Sequence, residues 1–373
     1  MELKNATKMN AGYNMGMDPD GREHLVVIVK GTYQIPDEGH ELTLAKEQMP
    51  LIEADTFTGE PGLSAPIYES DYALFKPYCD VMLHGKAYAP KQQPVKKMQV
   101  RMVVGSIDKS FTVVGNRTWF KTMMIAGSIA PDYFTEMPVS YDYAFGGMDK
   151  THPDEEKHTG YTLNPAGRGF AKYRHELEGI PLPNTEETGD PIIRPGGKYK
   201  PMSFGPVGRG WKPRYKWAGT YDDKWLDNIF PFLPKDFDPR YHQAAPPDQQ
   251  MPYPHGGEVV SLQNLTPDGF KQFRLPVVDM PVEFSMKNYE KKHQQAVIDT
   301  IYIEPEEKQV SILWRTSIPL KKDMFEVSQV IVGKMSKAFY RARELGKEYY
   351  PSLHALAVSK EEENEDINEG EEA

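Results

Sequence analysis

Between Ala218 and Gln250 the chain reads AGTYDDKWLDNIFPFLPKDFDPRYHQAAPPDQQ, a run that holds six aspartates and one histidine. Two kinds of chemistry use such a set. A metal site needs three or more oxygen or nitrogen ligands converging on one point at about 2 Å. Asp236, Asp238 and His242 are the most closely spaced candidates, and on a strand the first two share a face. Glycoside cleavage instead needs two carboxyl groups about 5–9 Å apart across a cleft, and Trp211, Trp217, Tyr221 and Trp225 are at hand to stack on sugar rings. The same residues have structural uses. Aspartates in DFDPRY bond nearby backbone amides and build turns. Thr220 or Asp222 caps a short helix over TYDDKWLDNI, and tryptophans in a loop-rich region bury area that regular elements there do not supply. The scaffold reading is the stronger one. Trp211, Trp217, Gly219, Thr220, Tyr221, Asp222, Trp225, Asp236 and Asp238 are expected to hold a fold rather than a catalytic or metal centre.

The remaining motifs complete no enzymatic signature. The glycine clusters NPAGRGF and FGPVGRGW do not fit GxxxxGK[ST] and open no clear helix, so turns are expected there. HPDEEKH places His152 and His158 six apart without the helical spacing of a zinc site, and HELEG at His175 is not HExxH. No GxSxG is present. Cys79, the single cysteine, reads as a small buried hydrophobe. One cysteine forms no intrachain disulfide, which suits a reducing compartment. The expectation is a protein with no catalytic residues, no cofactor and no metal.

Composition narrows the class further. A net charge of −10 repels phosphate backbones and argues against nucleic-acid binding, leaving basic protein partners as the natural expectation. The opening MELKNATKMNAGYNMGMDPDG lacks the apolar run of a secretion signal. No stretch of about 18 uncharged apolar residues is present to span a membrane, and a cytoplasmic location is expected. Glycine and proline together make up 62 of the 373 residues; neither suits helix interiors, so many turns and short strands are expected.

The elements that must position these residues follow from periodicity. HLVVIVKGTYQI, from His24, reads as a strand, followed by ELTLA. In VKKMQVRMVVGSIDKSFTVVG, Met98, Val100, Met102 and Val104 alternate with Gln99, Arg101 and Val103, with a turn over GSIDKS. VIDTIYIEPEEKQVSILWRTS is a second hairpin, with Val310, Ile312 and Trp314 on one face and Ser311 and Arg315 on the other, the pattern of a half-buried strand. GEVVSLQNLTPDGFKQFRL is a third hairpin, turning at TPDG. Between about 148 and 251 this regularity dissolves. Near the end, Met335, Ala338, Phe339, Ala342 and Leu345 recur at helical spacing and Gly346 supplies a left-handed stop, after a strand in MFEVSQVIVG. The fold class is therefore mainly β: antiparallel sheets, sandwich-like or an elaborated β-domain, with a loop-rich middle and one C-terminal helix. The organisation is an N-terminal arm over 1–22, a single large domain over 23–355 with a loop-rich insertion near 148–251, and an acidic disordered tail over 356–373.

Several stretches together resemble a known family: YESDYALFKPYCDVMLHGKAYAP, MPVSYDYAFGG, NPAGRGF, and above all RGWKPRYKWAGTYDDKWLDNIFPFLPKDFDPRYHQAAPPDQ. They are similar to the large domain-of-unknown-function family whose genes accompany type VI secretion spike and toxin genes, in pieces from about Val26 to Gln250. The resemblance implies an adaptor or chaperone that loads a secreted toxin effector onto the VgrG spike or its PAAR tip. It carries over no catalytic residue. The rival expectation is a carbohydrate-binding or carbohydrate-active β-protein using the Trp- and Asp-rich middle, with a metal-dependent hydrolase a distant third.

Residues 361–373 hold eight acids and no base, and such a segment builds no core. Its deletion is expected to leave the thermal midpoint of the body within a few degrees. A fall of about ten degrees or more, a shift on the order of a kcal/mol of stability or above, would show the tail to be docked.

Overall fold

The computed structural model describes residues 1–121, 126–172, 177–347 and 349–350. The acidic tail and the HELEG histidine, His175, lie outside the described residues. The architecture is mainly β, as the alternating segments imply. Three sheets carry it. The largest has seven strands, with Gln250–Met251, Cys79–Leu83, Val297–Glu304, Gln309–Pro319, Glu23–Gln34 and Asn10–Met17 in spatial order and Thr43–Leu44 added beside Glu23–Gln34. Its pairs are antiparallel except for Cys79–Leu83 on Val297–Glu304. A five-stranded antiparallel sheet runs Thr185–Glu186, Ile107–Val114, Lys97–Val104, Val259–Gln263, Phe270–Arg274. A four-stranded sheet contains Glu2–Asn5, Val327–Val332, Pro281–Met286 and Lys291–Gln295.

The period-2 pattern explains the main core. Val27, Val29, Val81, Ile301, Val310, Ile312 and Trp314 from one face of the largest sheet join Val100, Met102, Phe111, Val260 and Phe273 of the five-stranded sheet and Phe284 and Val330 of the four-stranded sheet in one hydrophobic cluster. Burying such side chains supplies roughly 1.5–3 kcal/mol each. The three hairpins form where the alternation places them. In the first, the tight turn is Gly105–Ser106 alone, with Gly105 at φ +54°, because Ile107 already pairs with Val104.

Four features differ from the sequence reading. The first 22 residues include two strands: Glu2–Asn5 pairs in parallel with Val327–Val332, and Asn10–Met17 forms the outer edge of the largest sheet. The irregular part of the chain includes 45–78 as well as the middle region. The strand Gln309–Pro319 is buried on both faces rather than half-buried, with Ser311 and Arg315 as inaccessible as Trp314. Three short α-helices occur among the described residues, α1 (Lys212–Tyr215), α2 (Asp223–Asn228) and α3 (Lys337–Glu344); the last is capped by Ser336 and stops before Gly346 at φ +63°, but it buries only Phe339 while Leu345 is exposed.

The loop-rich middle joins Trp119 and Phe145 in a second small core with Leu177, Leu182 and Ile192, packed by Tyr161, Phe170 and Tyr199. NPAGRGF meets MPVSYDYAFGG there, since Phe145–Gly146 pairs with Arg168–Gly169. Gly146 sits at φ +152°, and a Cβ on it would lie 2.0 Å from the Asn164 carbonyl oxygen. Gly146→Ala is therefore expected to destabilise the protein by more than about 1 kcal/mol, measured by urea unfolding. An unchanged midpoint would contradict this packing.

Candidate functional site

The second face of the seven-stranded sheet has an unusual composition. Along Glu23–Gln34 it presents Val26, Ile28, Lys30 and Thr32, and the neighbouring strands add Arg315, Thr300, Tyr302 and Asp80, all buried. Irregular chain from 46–78 and 205–250 covers it, with Leu51, Tyr68, Tyr72, Leu74, Ala244 and Ala245 packing on Val26, Ile28, Met82, Tyr302 and Leu313. Between sheet and cover runs a set of ion pairs. Lys30 Nζ lies 3.1 Å from Asp71, whose carboxylate also accepts the Ile52 amide at 2.8 Å. Lys76 Nζ reaches Asp80 and the Thr300 hydroxyl, both at 2.9 Å, and Asp80 further accepts the amide of Ala244 at 2.7 Å. The Arg315 Nε donates to Asp299, and its Nη1 donates to the carbonyls of Asp71 at 2.7 Å and Ala73 at 2.8 Å. The side chains of Lys30, Asp71, Asp80, Asp299 and Arg315 each expose 4% or less. Burial pushes the Asp80 carboxyl above its ordinary pKa although Lys76 and the Ala244 amide pull it down.

The network continues into the Asp-rich run. The Arg214 guanidinium forks onto the Glu69 carboxylate and donates to the carbonyls of Val207 at 2.8 Å and Tyr241 at 2.7 Å. Arg209 binds Asp55 at 2.7 Å. On this base the motif residues assemble a projecting knob. Trp211 is buried edge-on against Tyr141 at 5.3 Å. Trp217 carries the Arg240 guanidinium on its ring at 3.4 Å, and the Arg240 amide and Nε bind Asp238, each at 2.9 Å. Gly219 turns at φ +86°, where a Cβ would meet Pro234 at 2.8 Å. Asp236 closes the same turn by accepting the Thr220 amide at 3.0 Å and hydroxyl at 2.7 Å, and these bonds hold its carboxyl below the usual range. Asp222 caps α2 by accepting the Trp225 amide at 2.9 Å.

The six aspartates of the run therefore do not converge. Asp222, Asp236 and Asp238 bond turns and caps, Asp248 pairs with Lys109 and Lys200, and Asp223 and Asp227 are exposed. Among the described residues no three of His, Cys, Asp and Glu are arranged to hold a metal. His152 and His158 bond within their own loop. Cys79 is buried, and burial raises its thiol well above its ordinary pKa. Sequence reasoning missed two things. The charged face of the sheet was signalled only by single charges inside apolar strands. Of the knob's surface only Tyr221 was singled out; Tyr215, Leu226, Phe230 and Phe232 also expose 42–65% of their area. Tyr221 contacts Trp225 at 4.7 Å, Trp225 contacts Phe230 at 5.6 Å, and the Trp225 indole N–H donates to the Phe232 carbonyl, so these rings form one patch.

Comparison with known families identifies the chain. It belongs to the family described as "Uncharacterized protein conserved in bacteria (DUF2169)", whose model matches residues 20–315. No curated protein and no solved structure matches it.

Two half-buried histidines, His84 and His242, stand where the cover meets the sheet. Burial lowers His84, which stacks on Tyr302, to a pKa of about 4, and burial together with the Arg209 and Lys76 charges lowers His242 to about 3. Unfolded, both titrate near about 6.5. The unfolded state therefore binds more protons below that value, and stability is complete above about pH 6.5 and falls as the pH drops towards the folded-state values. Urea midpoints are expected to fall between about pH 7 and about pH 5, and the fall should shrink in a His84→Gln, His242→Gln variant. Equal slopes in both proteins would contradict this assignment.

Proposed function

We propose that this protein is a cytoplasmic adaptor that binds a secreted toxin effector and promotes its loading onto the VgrG spike or PAAR tip of a type VI secretion machine. The observation that carries the reading is the knob. Its apolar patch lies open on the surface, yet it is rooted through Arg209 and Arg214 in the buried network. Rigid, exposed aromatic groups on an otherwise polar surface mark protein–protein contacts. The charge distribution agrees. Eight of the ten excess negative charges lie in residues 361–373, so the rest of the chain is close to neutral, at −2. A near-neutral body with an apolar patch suits partner binding through buried area more than through charge.

The carbohydrate reading draws on the same aromatics. Two of its tryptophans have little free ring face, since Trp211 is buried against Tyr141 and Trp217 is covered by Arg240.

The reading is tested by co-expressing the toxin encoded beside this gene with and without the protein, followed by affinity capture. Soluble effector and a co-eluting complex are expected, with capture at least about tenfold weaker in the exposed-site variants Leu226→Asp and Phe230→Asp, as for interface anchors. Equal effector solubility without the protein, together with no co-elution, would contradict it. Binding to polysaccharides that is lost in a folded Tyr221→Ala variant would favour the carbohydrate reading.

A further inference from the structure

A cleft of about 270 Å³ opens where the cover meets the end of the largest sheet. Its walls are the apolar groups of Leu74, Phe75, Tyr253 and Val297, and Asp299 and Arg315 line it as well. Two observations define what fits there. The first is a missing hydrogen-bond partner. Arg315 spends Nε on Asp299 and Nη1 on two carbonyls, and its buried Nη2 has no partner among the described residues. A buried charged donor left unsatisfied is costly. The second is a missing strand. Cys79–Leu83 pairs with Val297–Glu304 only from Thr300 onward, where Thr300 faces Asp80, so Val297 and Ile298 have no strand on that side.

Charge decides the class of ligand. Lys76 is paired with Asp80 and Arg315 with Asp299, so the floor is balanced, and an anion at Nη2 would face the Asp299 carboxylate. A neutral acceptor meets the guanidinium without that repulsion. We propose that this cleft binds an extended, uncharged apolar segment of polypeptide. One backbone carbonyl of the segment accepts from Arg315 Nη2, an apolar side chain lies against Leu74, Phe75 and Val297, and the backbone runs beside the open strand edge in the manner of strand addition. The volume, just below the roughly 300–1,000 Å³ of small-molecule pockets, admits one or two residues of such a segment.

The inference extends the adaptor reading by naming the form in which a cargo chain is held. Its test uses a synthetic peptide and no effector, so the two stand or fall separately. The probe is the neutral peptide acetyl-Ser-Val-Leu-Val-Ser-amide, followed by ligand-observed saturation-transfer NMR with the full-length protein, and compared with the same peptide carrying Asp in place of Leu. Saturable binding is expected that changes less than about twofold between low and high salt. It should weaken at least about fivefold with the Asp peptide and in Phe75→Asp, a substitution at a half-exposed rim position, with the thermal midpoint confirming the fold. Arg315→Lys, where it folds, keeps a cation beside Asp299 but removes the spare N–H, and should also weaken binding. Three results would overturn the proposal: no saturable binding at about 1 mM, binding undiminished in Phe75→Asp, or a salt-sensitive preference for the Asp peptide, which would mark an anion site.

Discussion

Lys30, Asp80, Asp299 and Arg315 stand within strands of the largest sheet, and all four are buried. This is the constraint on which the rest of the molecule depends. Taking a charge out of water costs several kcal/mol, and a buried pair recovers it only when its geometry is held and its remaining donors and acceptors are bonded. Here the partners come from chain without regular structure: Asp71, Lys76, and the carbonyls and amides of residues 52, 71, 73 and 244. The cover is therefore fixed by electrostatic registration where it lacks helices or strands. Shifting it would leave charges unpaired on the sheet.

The same constraint carries outward to the surface. Glu69 lies in the cover and binds Arg214, and Arg214 holds the Tyr241 carbonyl at the far end of the Asp-rich run. Short turns closed by Asp222, Asp236 and Asp238 then complete a knob that has almost no regular structure of its own. Loops positioned by a rigid scaffold are where binding surfaces occur. In this chain the rigidity comes from salt bridges and caps, and the exposed rings of Tyr221, Phe230 and Phe232 are what they present.

What was legible in the sequence is what depends on local order. The hairpins over 97–114, 259–274 and 297–319 follow from alternation and turn residues, and the Asp222 cap follows from its spacing to the helix it starts. What was not legible depends on distant partners. Glu2 pairs beside Gln329, and nothing in the first 22 residues announces a partner more than 300 positions away. Ser311 and Arg315 alternate with apolar residues as a solvent-facing row would, because periodicity distinguishes the faces of a strand but not water from a buried carboxylate. The irregular stretch 45–78 carried no periodic signal, although it supplies Asp71 and Lys76 to the network. The aspartate run announced its carboxylates plainly. Their dispersal over separate turns and ion pairs came from tertiary structure.

The central claim is that paired burial of charge locks the cover onto the sheet, and a double-mutant cycle on Lys30 and Asp71 tests it most directly. Lys30→Met strands a buried carboxylate and Asp71→Asn strands a buried ammonium, while asparagine keeps an acceptor for the Ile52 amide. Each single change is expected to cost about 3–5 kcal/mol in urea unfolding, and the double variant markedly less than their sum. Additive losses, or single losses below about 1 kcal/mol, would mean that the pair is solvated and that the cover is held by its apolar contacts alone.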